Sequence, residues 1–372
     1  MQFTFTDEQE QFRAVVRRFL AQKSPATEVR RLMATAEGFD DRVWRQLADE
    51  LALTGLHLPE EYGGAGFGAV ELGIAMEEQG RALLCAPYFS SCVLAAGAIL
   101  EAGSEEQKSA LLPDIASGQV RAALALTEPN GRWDAAGVEA VATESDGVWK
   151  IDGIKSFVID GCTADSLVVA ARTDAAAVSF FLVDPQAPGL TRTPLATMDA
   201  TRKQARIELH GVAAELLGER GAATRALPRV LDHAAIALAN EMVGGAQALL
   251  ESAVAYANLR VQFGRAIGSF QAIKHKCADM LLEVELAKSA AYAAAQAEAA
   301  GDPETPMLAS MAKAAAADAY RRAAADTIQI HGGIGFTWEN DTHLWFKRAK
   351  SSEVLFGDGN HHRELMLQRM EG

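Results

Sequence analysis

The chain has 372 residues, which is enough for two or three domains with a large buried core. Its 35 Lys and Arg residues stand against 49 Asp and Glu residues, so the formal net charge is −14. A chain this acidic lacks the basic surface that phosphate contact requires, which excludes most nucleic-acid binders. The 49% hydrophobic and 23% charged residues also exclude disordered, collagen-like and small disulfide-stapled proteins.

The cysteines and the histidines give no sign of a disulfide framework or a metal site. The four cysteines form no Cys-x-x-Cys pair and are typical of reduced, buried thiols, and no cluster of histidines has metal-ligand spacing. The start of the chain lacks the basic and apolar stretches of a signal peptide, and residues 86–103 are too short and too polar to span a bilayer. These observations predict a cytoplasmic protein without a membrane partner.

The first 115 or so residues have the pattern of helices. Thr6 precedes Asp7-Glu8-Gln9, which is the sequence of a capping box, and apolar residues then recur at helical spacing. Further helices are predicted near residues 41–53 and 70–80, and a second capping box begins at Ser104. We therefore predict a helical N-terminal domain over residues 1–118.

The pattern changes to short strands near Arg121. The predicted strands are 138–143, 148–151, 155–159, 167–171, 179–183, 190–193 and 205–209. Asp146-Gly147 and Asp152-Gly153 are typical of the tight turns between antiparallel strands. Because no helices alternate with these strands, the sequence favours an antiparallel sandwich or barrel over residues 119–225 and disfavours a parallel nucleotide-binding sheet.

Long helices rich in Ala and Leu follow, and they complete an α+β fold. They are predicted over residues 234–259, 271–300 and 307–330, and such lengths suit an antiparallel four-helix bundle in a domain spanning residues 226–372. The predicted order is therefore a helical domain, a β domain and a helical bundle.

Three segments carry features of a binding site. Residues 123–134 run from an apolar strand into a polar turn at a predicted domain junction, where cofactors often bind. Residues 152–161 place Phe157 in a strand, and residues 329–336 end a helix in glycines whose N–H groups suit an anion. Taken one at a time, these segments are equally compatible with a loop, a core aromatic residue and a plain helix stop.

Taken together, the segments and their order resemble the acyl-CoA dehydrogenase family over essentially the whole chain. The resemblance includes Phe5-Thr6-Asp7-Glu8-Gln9 and the sequences of residues 58–66, 260–267, 270–271 and 278–280. It implies the three domains above, FAD as cofactor, and α,β-desaturation of an acyl-CoA thioester by an oxidoreductase. It also implies transfer of electrons to an electron-transfer flavoprotein and a tetramer built as a dimer of dimers.

The resemblance implies a set of cofactor-binding residues. Leu126 and Thr127 match residues that line the flavin, and Phe157 matches the family's usual Trp on the isoalloxazine ring, where Phe still offers a π surface. Ile159 replaces a Thr or Ser that contacts the flavin edge. The residues that match positions holding the pyrophosphate and adenosine of a neighbouring subunit's FAD are Arg260, Phe263, Gln329 and Gly333.

The chain departs from the family at the predicted substrate entrance and at the catalytic base. Arg132 and Trp133 stand where the family has Gly and Ser, so they either meet a phosphate or narrow the pocket. Removal of the acyl α-proton needs a positioned carboxylate. However, Phe356 occupies the usual position of the Glu base, and Ala234 occupies the alternative position on an earlier helix.

Three interpretations of the missing base remain open. Another carboxylate serves, with Asp358 as the nearest candidate and Glu241 as a poorer one, although a turn cap and a helix charge explain these two equally well. Alternatively, a homologous chain brings the Glu in an α₂β₂ complex, as the resemblance to small subunits of pimeloyl-CoA dehydrogenase and to steroid side-chain dehydrogenases implies. In the third interpretation the chain is a catalytically silent partner subunit.

Overall fold

The computed structural model describes residues 4–175 and 177–371, so the first three residues of the segment searched for a targeting signal lie outside it. The chain divides into two compact units. The first unit contains the chain up to Arg31, Ala69–Leu84 and the chain from Ala235 onward. The second unit contains Leu32–Gly68 and Cys85–Ala234.

The helices lie at the two ends of the chain and the strands between them. Over the described residues the α-helices are α1 (Asp7–Lys23), α2 (Ala26–Met33), α3 (Asp41–Asp49), α4 (Ala69–Arg81), α5 (Ala96–Ala102), α6 (Glu105–Ala116), α7 (Ala223–Leu259), α8 (Gln271–Ala299), α9 (Thr305–His331), α10 (Thr342–Val354) and α11 (Gly359–Glu371). The strands are β1 (Ala122–Ala125), β2 (Val141–Ser145), β3 (Val148–Ile159), β4 (Ser166–Arg172), β5 (Val178–Val183), β6 (Leu190–Pro194), β7 (Gln204–Leu217), β8 (Val261–Gln262) and β9 (Arg265–Ala266). The predicted order of helices, β structure and helices is confirmed.

Both predicted capping boxes are present. The Thr6 hydroxyl accepts a hydrogen bond from the Gln9 amide at 3.2 Å, and the Gln9 side chain accepts one from the Thr6 amide at 3.0 Å. Ser104 and Gln107 make the same reciprocal pair at the start of α6. Two of the backbone N–H groups that a helix start leaves unpaired are satisfied in this way.

The β structure in the second unit is one seven-stranded sheet that closes on itself. Strands β4, β2, β3, β7 and β5 pair in that order, and β5 also pairs with β4. Buried apolar side chains such as Leu167, Val169, Phe181 and Ile207 fill the core against the sheet. The predicted barrel class is confirmed, but the sheet is mixed, since β1 runs parallel to β4.

Three elements are longer than the periodicity predicts, and one of them is β7, which extends over Gln204–Leu217 where the sequence predicts a strand over 205–209. The expected strands 148–151 and 155–159 form one strand, β3. Its pairing with β7 shifts register twice, between Ile151 and Gly153 and between Lys155 and Val158. A Cβ at Gly153 would lie 2.5 Å from that of Ala140, so only glycine fits this irregularity. Helix α7 begins 11 residues earlier than 234, with Pro228 in its second turn.

Helices α4 and α7 approach each other through glycines in the first unit. A Cβ added to Gly80 would lie 1.9 Å from the Glu241 carbonyl oxygen, and one added to Gly244 would lie 1.8 Å from that of Glu77. Because backbone atoms occupy these positions, no rotamer change relieves the clash. The absence of side chains at these two residues therefore sets the distance between the helices.

We expect Gly244→Ala to lower the free energy of unfolding by about 2–4 kcal/mol, because one methyl group must push two packed backbones apart. Gly97→Ala in α5 is the control, since the nearest atom to its added Cβ is 3.9 Å away, and it should be neutral or stabilise the protein by up to about 1 kcal/mol. Thermal and urea unfolding of both variants measure the effect. Equal stability of the two variants would contradict the proposed close packing.

Candidate active site

Phe157 leaves the regular ladder of β3. Pairing between β3 and β7 shifts register between Lys155 and Val158, so Ser156 and Phe157 form a bulge. Phe157 has φ of +58°, in the left-handed region that a bulky residue rarely adopts, and its side chain is 46% exposed. The bulge thus presents an aromatic ring at the surface of the second unit, where the sequence predicts packing on a flavin.

The bulge is hydrogen-bonded to the segment that follows β1. The Ser156 amide donates to the Thr127 carbonyl at 2.8 Å. Leu126 and Thr127 are both buried at 5% exposure, and Ile159 is buried at 4%. The structure therefore brings the four predicted flavin-lining residues into one unit, on two segments joined by this bond.

The Thr127 hydroxyl fits the predicted role of contacting a polar cofactor edge. Among the residues that the structure describes, none makes a hydrogen bond to it, whereas the Thr127 carbonyl is already engaged by Ser156. A hydroxyl can donate and accept at once, which suits the alternating acceptors and donors of an isoalloxazine ring.

A buried ion pair lies directly beneath these segments and was not predicted. Lys155 is fully buried, and its Nζ lies 2.6 Å from Glu128 Oε1 and 3.2 Å from the Leu126 carbonyl. The Glu128 carboxylate also accepts the amides of Glu139 and Ala140, both at 2.9 Å. Burial lowers the pKa of Lys155 to about 8, although Glu128 counteracts the effect.

Arg132 and Trp133 lie on a structured turn. The Arg132 guanidinium pairs with Asp134 at 2.7 Å and is exposed, while Trp133 is half-buried. Asp134 also accepts the Gly137 amide at 2.8 Å and so fixes the short helical turn Ala135–Gly137. Arg132 is therefore an exposed cation on a defined loop, where it is paired with Asp134.

In the first unit, three of the four residues predicted to hold pyrophosphate and adenosine line one cavity of about 660 Å³. They are Arg260, Phe263 and Gly333, and Tyr256 and His331 form another part of the wall, where their rings stack 4.2 Å apart. Gln329 is exposed in the last turn of α9 and does not line the cavity.

The chemistry of this cavity fits a dinucleotide cofactor. Within residues 4–175 and 177–371, no carboxylate forms an ion pair with Arg260, so its charge remains available for an anion. Phe263 sits at the tip of the β8–β9 hairpin with 91% of its side chain exposed. A Cβ at Gly333 would meet nothing within 4 Å, which leaves space for close approach to the backbone. A free cation, an open aromatic face and a glycine cradle are the groups that pyrophosphate and adenine use.

The loop after α10 is held by two buried side chains. Phe356 is 7% exposed with φ of +60°, and its carbonyl lies 3.1 Å from His362 Nε2, so that nitrogen donates. Lys313 Nζ donates to the Gly357 carbonyl at 3.0 Å and to the Glu353 carbonyl at 3.2 Å. Burial lowers the pKa of Lys313 to about 8 and that of His362 to about 3.

The two candidate carboxylate bases are both engaged. Asp358 is exposed and accepts the His361 amide at 2.8 Å at the start of α11, as an N-cap does. Glu241 is buried and pairs with Arg348 at 2.8 Å, with both side chains about 5% exposed. The Glu241 carboxylate is therefore held by a buried cation, which is the environment of a structural charge.

Neither a metal cluster nor a membrane segment is found in the part of the chain that the structure describes. No group of three or more His, Cys, Asp or Glu side chains there has the arrangement to hold a metal ion. No helix among the described residues is long and apolar enough to cross a bilayer.

The fold is that of a flavoprotein oxidoreductase of the acyl-CoA dehydrogenase class. Models of the N-terminal, middle and C-terminal domains of acyl-CoA dehydrogenase match residues 6–119, 123–212 and 223–371. The chain therefore belongs to the acyl-CoA dehydrogenase family, whose members use FAD as cofactor.

Known proteins resemble the chain over nearly its full length. Acyl-CoA dehydrogenase IpdE2 of Mycobacterium tuberculosis is 35% identical over 94% of this chain and 93% of its own. The structure of butyryl-CoA dehydrogenase from Megasphaera elsdenii superposes with a TM-score of 0.93 at 29% identity and full coverage of both chains. The ChsE4–ChsE5 complex from M. tuberculosis gives a TM-score of 0.90 at 27% identity over 100% of this chain and 99% of the other.

We expect His362→Asn to reduce the sensitivity of the protein to acid. The folded-state pKa of His362 lies below that of the unfolded chain, so stability is present above pH 6.5 and is lost as the pH falls toward 3. Between pH 7 and pH 5 the variant should lose about 2 kcal/mol less free energy of unfolding than the original chain.

Urea unfolding at several pH values measures this difference. His275→Asn, at an exposed position in α8, is the control and should retain the original pH dependence. If His362→Asn also retains it, protonation of His362 does not contribute to acid unfolding.

Proposed function

We propose that this chain is the FAD-binding subunit of an enzyme that desaturates an acyl-CoA thioester between its α and β carbons. The observation that carries the proposal is the β3 bulge, which presents a half-exposed, left-handed Phe157 and is bonded through Ser156 to Thr127. FAD, when bound, supplies the acceptor for the hydride that leaves the β carbon. The chain's own side chains bind and orient the cofactor and the substrate.

The side chains of each unit have separate roles in this proposal. Phe157 packs on the flavin ring, and the Thr127 hydroxyl bonds its polar edge, while Leu126 and Ile159 supply apolar surface. Arg260 pairs with the pyrophosphate of a neighbouring subunit's FAD, Phe263 covers the adenosine of that FAD, and Gly333 leaves room for it to approach the backbone. Gln329, which is exposed in the last turn of α9, also contacts the cofactor of a neighbouring subunit.

The substrate is an acyl-CoA whose acyl group is fatty or is a steroid side chain. Arg132 supports binding of the CoA portion, because an exposed guanidinium on a fixed turn pairs well with phosphate, and Trp133 narrows the entrance. With FAD bound, an electron-transfer flavoprotein in the cytoplasm would be the electron acceptor.

Association with other chains is supported by exposed apolar residues in the first unit. Large side chains that are at least 60% exposed include Leu259, Phe263, Leu282, Leu286 and Phe336. Apolar surface of this extent on helices and on a hairpin is typical of subunit contacts. We propose a tetramer, either of identical chains or with two copies of a homologous chain.

The geometry around residue 356 favours the heteromeric form. Phe356 is buried and its loop is clamped by Lys313 and His362, while Asp358 caps a helix and Glu241 is neutralised by Arg348. Each of the two candidate carboxylates is therefore already engaged, Asp358 by a helix N-terminus and Glu241 by a cation. A homologous chain that carries the Glu base explains this arrangement, and it makes a silent partner subunit the second candidate function.

We expect Arg260→Gln to weaken FAD binding to the apoprotein by about 10- to 100-fold, since a charge-assisted contact with phosphate is lost. Quenching of FAD fluorescence on titration with apoprotein gives the dissociation constant. Arg45→Gln, at an exposed pair with Asp41, removes one surface charge equally and should leave the affinity unchanged. Equal affinity of all three proteins would remove Arg260 from the cofactor site.

We expect Asp358→Asn to leave the bleaching of the flavin by acyl-CoA unchanged, because its carboxylate serves as a helix cap. Anaerobic stopped-flow absorbance measures bleaching of the chain alone and after addition of a homologous Glu-bearing chain. Bleaching only in the mixture supports the heteromeric enzyme. Bleaching by the chain alone that is abolished in Asp358→Asn would identify Asp358 as the base instead.

A further inference from the structure

The pair of Glu128 and Lys155 is the most deeply buried ion pair near the proposed flavin surface. The Lys155 side chain is 0% exposed and that of Glu128 is 3% exposed. The ammonium donates to a carboxylate and a carbonyl, and the carboxylate also accepts two amides. The pair is therefore a buried network that ties several main-chain groups together.

This network joins the same two segments that carry the flavin-lining residues. Lys155 bonds Leu126 through its carbonyl and Glu128 through its carboxylate, and the intervening Thr127 accepts the Ser156 amide. Three successive residues after β1 are thus tied to two successive residues of β3. The tie falls where β3 departs from its pairing with β7.

Stability alone does not account for such a pair. Desolvation of two charges offsets most of their attraction, and replacement of a buried ion pair by apolar residues of similar volume is often neutral or stabilising. The left-handed conformation of Phe157 is also unfavourable, and such a conformation persists only where the surrounding contacts determine it. The network supplies such contacts at Lys155, two residues before the strained one.

We infer that Glu128 and Lys155 are positioning residues that hold the β3 bulge in its binding conformation before the cofactor arrives, so that the Phe157 ring and the Thr127 hydroxyl are set for the isoalloxazine. The inference rests on the proposed function, since it concerns the same surface. It assigns to the pair no contact with the cofactor and no proton transfer.

The central test replaces both charges at once. In Glu128→Leu/Lys155→Met, the apolar side chains keep the volume, but the amides of Glu139 and Ala140 and the Leu126 carbonyl lose these partners. The melting temperature should therefore fall, and FAD binding is compared well below it, where the variant is folded. FAD affinity of the apoprotein should fall at least about tenfold, and the visible circular dichroism of the bound flavin should change, because the ring and hydroxyl are no longer held. Arg121→Met/Asp165→Leu removes an ion pair from the same unit away from the bulge and should change neither property.

The outcomes separate this inference from the proposed function. If the original chain binds no FAD, the proposed function fails. If it binds FAD and the Glu128/Lys155 double variant binds with the same affinity and circular dichroism, the positioning role alone is wrong. Lys155→Gln, which keeps donor groups toward Leu126 and Glu128, should recover part of the affinity lost in the double variant.

A second measurement requires no substitution and therefore does not depend on a variant that folds. Hydrogen exchange of residues 153–159 in the unmodified apoprotein reports whether the bulge is already ordered. We expect the Ser156 amide to be protected as strongly as the neighbouring β3 amides, with little change on addition of FAD. Protection that appears only with FAD would overturn the inference, because the cofactor rather than the ion pair would then order the bulge.

Discussion

The bulge between Lys155 and Val158 is the constraint on which the candidate flavin surface depends. In a regular strand, successive side chains would point to opposite faces of the sheet, and the Ser156 amide would be part of the ladder with β7. Instead, the Ser156 amide turns to Thr127, and Phe157 takes a left-handed conformation with its ring half exposed. The strain is local, whereas the contacts that maintain it come from a different segment of the sheet.

In each of the two units, a buried lysine donates a hydrogen bond to a main-chain carbonyl near a left-handed Phe residue. In the second unit Lys155 donates to the Leu126 carbonyl beside the left-handed Phe157, and in the first unit Lys313 donates to the Gly357 carbonyl beside the left-handed Phe356. Burial lowers the pKa of each ammonium to about 8, so each remains mainly protonated at neutral pH. An ammonium with several directed donors fixes main-chain carbonyls that no regular ladder holds.

The order of helices and strands could be predicted from the sequence because the signals for it are local. Helical spacing, the two capping boxes and the run of short strands each depend on neighbouring residues, and they establish the order of helices and strands. The continuity of β3 through Gly153 and the pairing of Lys155 with Glu128 depend on contacts between residues distant in sequence, which periodicity does not report. A lysine in an otherwise apolar stretch was the signal available for that pair, but the chain alone does not show which carboxylate meets it.

The proposed cofactor residues were predicted from several motifs in order, whereas no motif identified a catalytic base. The loop around Phe356 is held by hydrogen bonds from Lys313 and His362 to main-chain carbonyls. These bonds do not involve the side chain at position 356. A change of the side chain at 356 therefore removes a carboxylate without releasing the backbone of the loop. In the proposed heteromeric enzyme, this loop would hold the thioester while a homologous chain supplies the proton acceptor.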